Sequence, residues 1–199
     1  MLHVCTVATL NGLIFTLVLH ASGQIDIICQ EFKDISKNLL YGSSVPSFGM
    51  LIERHNKIIS FSENIEELLS FIALMQVIWN TLVICCLGFV IIISIHNETG
   101  VFMVMKTACA YFAIMAEAFV ICFAGEYLSL KSKLISYATY ETLWYDMPAN
   151  TGKIIMFIIM RSQRRLTITA GKMMDMSFET FTSIMKTTAS YISVLNALY

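Results

Sequence analysis

A chain of 199 residues that is 57% hydrophobic and 14% charged, with a mean hydropathy of +0.71, is too apolar for a soluble globular domain. A net charge of −1 leaves no concentrated basic face and argues against a nucleic-acid partner. Two Pro and nine Gly leave little room for a loop-rich or β-sandwich architecture.

The chain opens on an apolar run, Leu2–Leu19, with no Lys or Arg before it and only a weak small-residue site at Ala21-Ser22-Gly23. Those features favour a membrane span over a signal peptide. Gly42–Ser47 is the one clear loop signal. Between Met50 and Leu69, Leu51, Ile58, Ile59, Ile65, Leu68 and Leu69 recur at helical spacing. Glu53, Arg54, Lys57, Glu63 and Glu66 fill the intervening faces, and this helix can run straight into a second span, Leu68–Ile95. Val101–Ala124 is a third. Ser129–Tyr145 predicts a helix ending before Asp146-Met147-Pro148, and Pro148 suits the first turn of another. That next helix carries Ile154–Met160, which is far too short to cross a bilayer. Ser177–Leu198 is long enough for a span but polar for one.

The six Cys show neither metal-ligand nor disulfide-framework spacing. Cys5, Cys85, Cys86, Cys109 and Cys122 lie in apolar runs, and Cys29 lies in an amphipathic stretch assigned to the reducing side, so no disulfide is expected. His3, His20, His55 and His96 are scattered, and no H-x-x-x-H, C-x-x-C, G-x-S-x-G or P-loop spacing appears. An enzyme, a metal site and a cofactor are therefore not expected.

Charge distribution supplies sidedness. Residues 21–67 carry Lys33, Lys37, Arg54 and Lys57, and residues 125–176 carry Lys131, Lys133, Lys153, Arg161, Arg164, Arg165 and Lys172. The link His96–Gly100 carries no Lys or Arg. Both long connections then face the cytoplasm and the short link faces out, where Asn97-Glu98-Thr99 forms an N-glycosylation sequon. Both chain ends fall outside, so the sequence reads as the C-terminal part of a longer protein. The expected fold is an all-α polytopic transmembrane bundle with cytoplasmic amphipathic helices forming an assembly layer. Residues 1–124 would hold three spans with cytoplasmic helices at 21–67, residues 125–176 a cytoplasmic helical assembly region, and residues 177–199 a final span.

Familiar motifs follow in order: C-x-x-G-E-Y-L (Cys122–Leu128), A-x-Y-E-x-x-W-Y (Ala138–Tyr145), M-R-S-Q (Met160–Gln163), T-A-G-K (Thr169–Lys172) and F-x-x-x-x-K-T-x-x-S-Y (Phe181–Tyr191). As an ordered set running to the chain end, they resemble the C-terminal half of insect odorant receptors. The match is dense over about residues 100–199. Arg165 departs from it where relatives often carry Pro, and Ile192 departs where an aromatic commonly follows Ser-Tyr. The resemblance implies spans four to seven of an inverted seven-span tuning receptor in the plasma membrane, with an extracellular C-terminus. It also implies a hetero-tetrameric cation channel formed with the odorant receptor co-receptor, bilayer lipid around it, and a small volatile odorant as ligand. Trp144, Tyr145, Arg161 and Gln163, which stand in the motifs, are assigned to the assembly region.

In the last span, Thr180, Ser183, Thr187, Ser190 and Val194 recur at three- and four-residue intervals and share one helix face. Polar groups are costly in lipid, so this stripe should face protein or water. Taken alone it favours helix–helix packing over a pore. The resemblance reverses that order, because the family's final helix lines the pore, and Val194 and Leu198 match the residues of its narrow apolar gate, a ring able to close by dewetting. Lys186 is expected to snorkel or pair rather than face passing cations. Glu117 needs a polar partner on a neighbouring helix, with Gln76 and Asn80 as candidates. Val7, Phe89, Met103, Thr107 and Tyr111 are the expected ligand-pocket residues, although for any one of them ordinary helix packing is the favoured reading. Two alternatives stay open: a truncated receptor fragment that inserts without conducting, and a G-protein-coupled receptor fragment, which the charge distribution disfavours.

Overall fold

Long uninterrupted helices follow from a sequence in which Pro is confined to positions 46 and 148. The computed structural model describes residues 2–40, 48–96, 101–142 and 144–198. Helices α1 (Leu2–Leu40), α2 (Phe48–His96) and α3 (Val101–Tyr140) come first, then α4 (Ala149–Ser162), a minimal hairpin of β1 (Thr169–Ala170) and β2 (Met174–Asp175), and α5 (Phe178–Leu198). α2 joins the amphipathic Met50–Leu69 stretch to the apolar run after it without a break. α3 does the same for Val101–Ala124 and the segment from Ser129. It stops at Tyr140 rather than Tyr145, because Thr142 turns back on the chain: its N–H (3.3 Å) and its hydroxyl (2.6 Å) both donate to the Thr139 carbonyl. A single 3-10 turn at Trp144–Asp146 follows, and Pro148 sits at the N-cap of α4 (φ −50°, ψ 140°) rather than inside its first turn.

Three stretches, Ala8–Asp34, Leu69–Ser94 and Val101–Tyr140, are long and apolar enough to cross a membrane by length and composition. α5 has 21 residues, and its hydroxyl content keeps its hydropathy below theirs.

Contacts divide the chain into two compact units, the first comprising Met1–Gly12, Leu68–Glu126 and Thr169–Tyr199, and the second Leu13–Glu67 and Tyr127–Ile168. In the second unit, Ile14, Val18, Ala21, Ile25, Ile28 and Phe32 of α1 are all at most 2% exposed. Their alternating spacing of four and three is a coiled-coil seam, which presents one stripe of α1 to its neighbours. Ile58, Leu128, Ile135, Ile155, Ile158 and Ile168 complete the core. Charges stay outside it: Lys131 Nζ lies 2.7 Å from Asp26 Oδ1, and Lys57 pairs with Glu53 at 2.8 Å.

The first unit turns more of its large apolar side chains outward. Its buried positions include Leu69, Ile84, Ile121 and Met176 beside small or polar residues (Ser70, Ala73, Gln76, Asn80, Ala118, Ala124, Thr188), and Phe71, Met75, Trp79, Leu82, Phe102 and Phe112 point outward. Apolar outside with polar groups tied together inside is the pattern a bilayer imposes.

Candidate functional site: the last helix and its support

The segment that launches α5 is built from short-range bonds. The Thr180 N–H donates to Ser177 Oγ (3.2 Å), a side-chain N-cap, and the Phe181 N–H donates to the Ser177 carbonyl (3.0 Å). The Thr180 hydroxyl donates to the Asp175 carbonyl (2.6 Å), which ties the helix start to β2. Just upstream, the T-A-G-K motif is the hairpin itself, with Thr169 opposite Asp175 and Ala170 opposite Met174. Gly171 and Lys172 both adopt positive φ (61° and 58°), a turn that Gly enters without cost and Lys does not.

Ser70 of α2 anchors this turn. The Gly171 N–H donates to the Ser70 carbonyl (2.9 Å), the Lys172 N–H donates to Ser70 Oγ (3.0 Å), and Ser70 Oγ lies 3.3 Å from Thr169 Oγ1. A Cβ on Gly171 would also come within 2.7 Å of Leu74. The glycine of the C-x-x-G motif permits a second close contact. A Cβ on Gly125 would strike the backbone of Met176, so the absence of a side chain lets α3 and the lead-in to α5 approach there. Ser70 lies inside an apolar run, and nothing in the sequence marks it as an anchor.

Further along, Phe119 of α3 gathers Phe123 (6.2 Å between ring centroids), Phe178 (5.8 Å) and Phe181 (5.6 Å). Ile192 fills the space that a side chain at Gly88 would need. Thr188 is buried on this inner side, and its hydroxyl has no hydrogen-bond partner among the described residues. Ile184 borders a void of about 10 Å³ with Asn80, Thr81, Ala118 and Ile121, at the lower limit for one water molecule.

A helix advances about 100° per residue, so the face opposite Thr188 and Ile192 is fixed. It carries Ser183, Thr187, Ser190 and Val194, all exposed, with Lys186 exposed beside them. Thr180 lies at the end of this stripe, only partly exposed, with its hydroxyl engaged at the helix start. Leu198 belongs to α5, but its side chain lies outside the described residues.

Glu117 of α3 is held by a knot of three helices. Asn11 Nδ2 donates to Glu117 Oε1 (3.0 Å), and Gln76 Nε2 donates to Asn11 Oδ1 (2.9 Å) and to Glu117 Oε1 (3.4 Å). Gln76 is one of the two partners expected from the sequence. Asn11 is not, because it stands alone in an apolar run.

The residues assigned to a ligand pocket do not border the void near α5. The Thr107 hydroxyl donates to the Met103 carbonyl (2.9 Å), the ring of Tyr111 packs edge-on to Phe112 (5.9 Å), and Phe89 is half-buried. The side chain of Val7, the loop at Gly42–Ser47 and the glycosylation candidate Asn97 lie outside the described residues. In the second unit, Trp144 packs edge-on to the exposed Tyr145 (6.1 Å), and Gln163 caps α4 through its N–H to the Ile159 carbonyl (3.2 Å). Arg161 lies on the last turn of α4. Among the described residues no group of His, Cys, Asp or Glu could hold a metal ion.

Comparison with known proteins bears on this arrangement. The chain is 28% identical to odorant receptor 22c of Drosophila melanogaster over 206 aligned positions, covering 96% of the chain and 50% of that receptor. It is 26% identical to odorant receptor 13a of the same fly, covering 98% and 51%. It therefore spans about half the length of the curated relatives it matches. The fold is similar to that of an insect olfactory receptor of Machilis hrabei solved in complex with eugenol, with a TM-score of 0.71 at 15% identity, over 88% of this chain and 46% of the other. A family model described as 7tm Odorant receptor matches residues 1–189, and the chain belongs to that family, the odorant receptors of insects.

Proposed function

We propose that this chain supplies the last four spans of an odorant-gated cation channel subunit, with α5 lining the conduction path. One observation carries the reading. α5 buries one face on its own unit and leaves the opposite face, Ser183, Thr187, Ser190 and Val194, without cover. Small hydroxyls there can replace part of an ion's hydration, and Val194 with Leu198 supplies the apolar ring that closes the path by dewetting. Copies of α5 from several subunits would complete the ring, the odorant receptor co-receptor providing the others in a hetero-tetramer. Odorant binding, with Val7, Phe89, Met103, Thr107 and Tyr111 contributing, shifts the gate only as far as the open state binds the ligand better. Residues 125–176, with Trp144, Tyr145, Arg161 and Gln163, hold the subunits together on the cytoplasmic side of the plasma membrane, and the C-terminus lies outside.

Cysteine accessibility tests this. The chain and a version extended upstream would each be co-expressed with the co-receptor and challenged with odorant. A water-soluble thiol reagent should block current through Ser183→Cys, Thr187→Cys and Ser190→Cys but not through Thr188→Cys. Equal reactivity of Thr188→Cys, or none on the stripe, would reduce the stripe to helix packing. Current from the extended version alone would make this chain a receptor fragment that inserts without conducting. An extracellular tag at the C-terminus should be stained in intact cells, and an internal one would overturn the topology.

A further inference from the structure

Between Asp146 and Asp175 the chain carries five cations, Lys153, Arg161, Arg164, Arg165 and Lys172, and no carboxylate. Arg161, Arg164 and Arg165 fall within five residues of each other, and all three are exposed. Among the described residues none of the three pairs with a carboxylate, whereas Lys57 and Lys131 do. Like charges set side by side without a counter-charge repel one another. The negative C-terminal end of α4 accounts for Arg161, which lies on its last turn, but Arg164 and Arg165 stand beyond it. Arg165 also occupies the position where relatives often carry Pro, so the second charge of the pair is this chain's own.

The turn that carries the pair is fixed to its own unit. The Gln163 N–H donates to the Ile159 carbonyl (3.2 Å), and the Arg164 N–H donates to the Arg161 carbonyl (3.3 Å). On the far side of the pair, the Leu166 N–H donates to Ser132 Oγ of α3 (3.2 Å). Two residues later Ile168, 1% exposed, enters the core. The backbone is therefore ordered before anything binds, which lowers the entropic cost of holding a ligand.

The nearness of a bilayer selects that ligand. Ser70, which holds the Gly171–Lys172 turn, is the second residue of the apolar stretch Leu69–Ser94, so that turn lies at the end of a span. Six residues of chain lead from Arg165 to Gly171, a reach of about 20 Å at most. We propose that Arg164 and Arg165 bind the headgroup of an anionic phospholipid, its phosphate accepting from their planar donor forks. Arg161 adds to the attraction. An anionic membrane surface favours each nearby cation by a factor of about five. The proposal rests on the reading of this chain as membrane-spanning and uses no residue of the α5 stripe, so lipid preference and current are measured separately.

The test is native mass spectrometry of the full chain released from mixed micelles of phosphatidylserine and phosphatidylcholine of equal chain length. The first bound lipid should be phosphatidylserine by at least about tenfold, a preference that falls as salt rises. Arg164→Gln and Arg165→Gln should each reduce it about fivefold, and together they should bring the two lipids near parity. Lys57→Gln, whose charge is already paired, should leave it unchanged. Equal binding of both lipids by the unmutated chain, or an intact preference in the double variant, would overturn the proposal. Displacement of the lipid by an equal concentration of glycerophosphoserine, the same head without tails, would overturn the membrane source. Displacement by a hexaglutamate peptide would overturn it in favour of an acidic protein partner.

Discussion

The two units differ in how much large apolar surface they turn outward. α1 buries Ile14 through Phe32 as a coiled-coil seam in the second unit, where charges such as Asp26 and Lys131 remain at the surface. In the first unit the large side chains Phe71, Trp79 and Phe102 point outward, and the inside combines Ile84, Ile121 and Met176 with small residues, glycines and the Asn11–Gln76–Glu117 knot. Where water surrounds a core, burial of large apolar groups supplies the stability. Where lipid surrounds it, outward apolar groups gain nothing by turning in, and close approach and hydrogen bonds take over. Hydropathy alone therefore reports how apolar a helix is, without saying which of its faces holds the fold.

The widest contrast should come from phenylalanines. Phe32→Ala removes a fully buried ring from the second unit and should cost about 3–5 kcal/mol, whereas Phe102→Ala, at an 81% exposed position, should stay within about 0.5 kcal/mol. Thermal unfolding of both variants in detergent measures this, and similar losses would erase the distinction between the units. Glycines come next. Ala normally favours a helix over Gly by up to about 1 kcal/mol, and Gly12→Ala should gain part of that, since nothing lies within 4 Å of the added carbon. Gly125→Ala should instead lose about 1–3 kcal/mol, because the new methyl strikes the Met176 backbone, which cannot give way like a side chain. A stabilised Gly125→Ala protein would refute that close approach.

The polar knot should be worth less. Gln76→Leu and Asn11→Leu, combined in a double-mutant cycle, should reveal a coupling of about 0.6–1.7 kcal/mol, the range found for hydrogen bonds between membrane helices. Additivity would mean the two amides act separately.

The smallest effect is one of pH. His55 titrates below 6.5 in the folded chain, so folded and unfolded forms are both neutral above that value and the group contributes no pH dependence there. As pH falls through 6.5 the unfolded chain takes the proton first, and stability should decline until the folded form titrates as well. Burial, and then the charge of Arg161, keep the new charge unfavourable. The melting temperature should therefore drop less between pH 7 and 5 in His55→Gln than in the unmutated chain, and identical slopes would exclude His55 as the cause.

Much of this is legible from the residues. Helical periodicity and the scarcity of Pro fix the helices, the basic connections suggest sidedness, and the ordered motifs point to the family. The stripe from Ser183 to Val194 can be drawn from spacing alone, because a helix has only one repeat. Even the heptad spacing of Ile14 to Phe32 lies in the sequence, although hydropathy masks it. What spacing cannot say is which side of α5 is covered. That depends on Ile192 meeting Gly88 and on Phe181 meeting Phe119, residues about a hundred and about sixty positions apart. The same holds for Ser70, which becomes an anchor only when the Gly171 turn reaches it, and for Asn11, whose partner lies 106 residues away. Local sequence determined the helices and their apolar surfaces, since those follow from a repeat of a few residues. Tertiary structure alone decided which polar atoms are satisfied and which face of the last helix stays open, since both depend on contacts that no local pattern encodes.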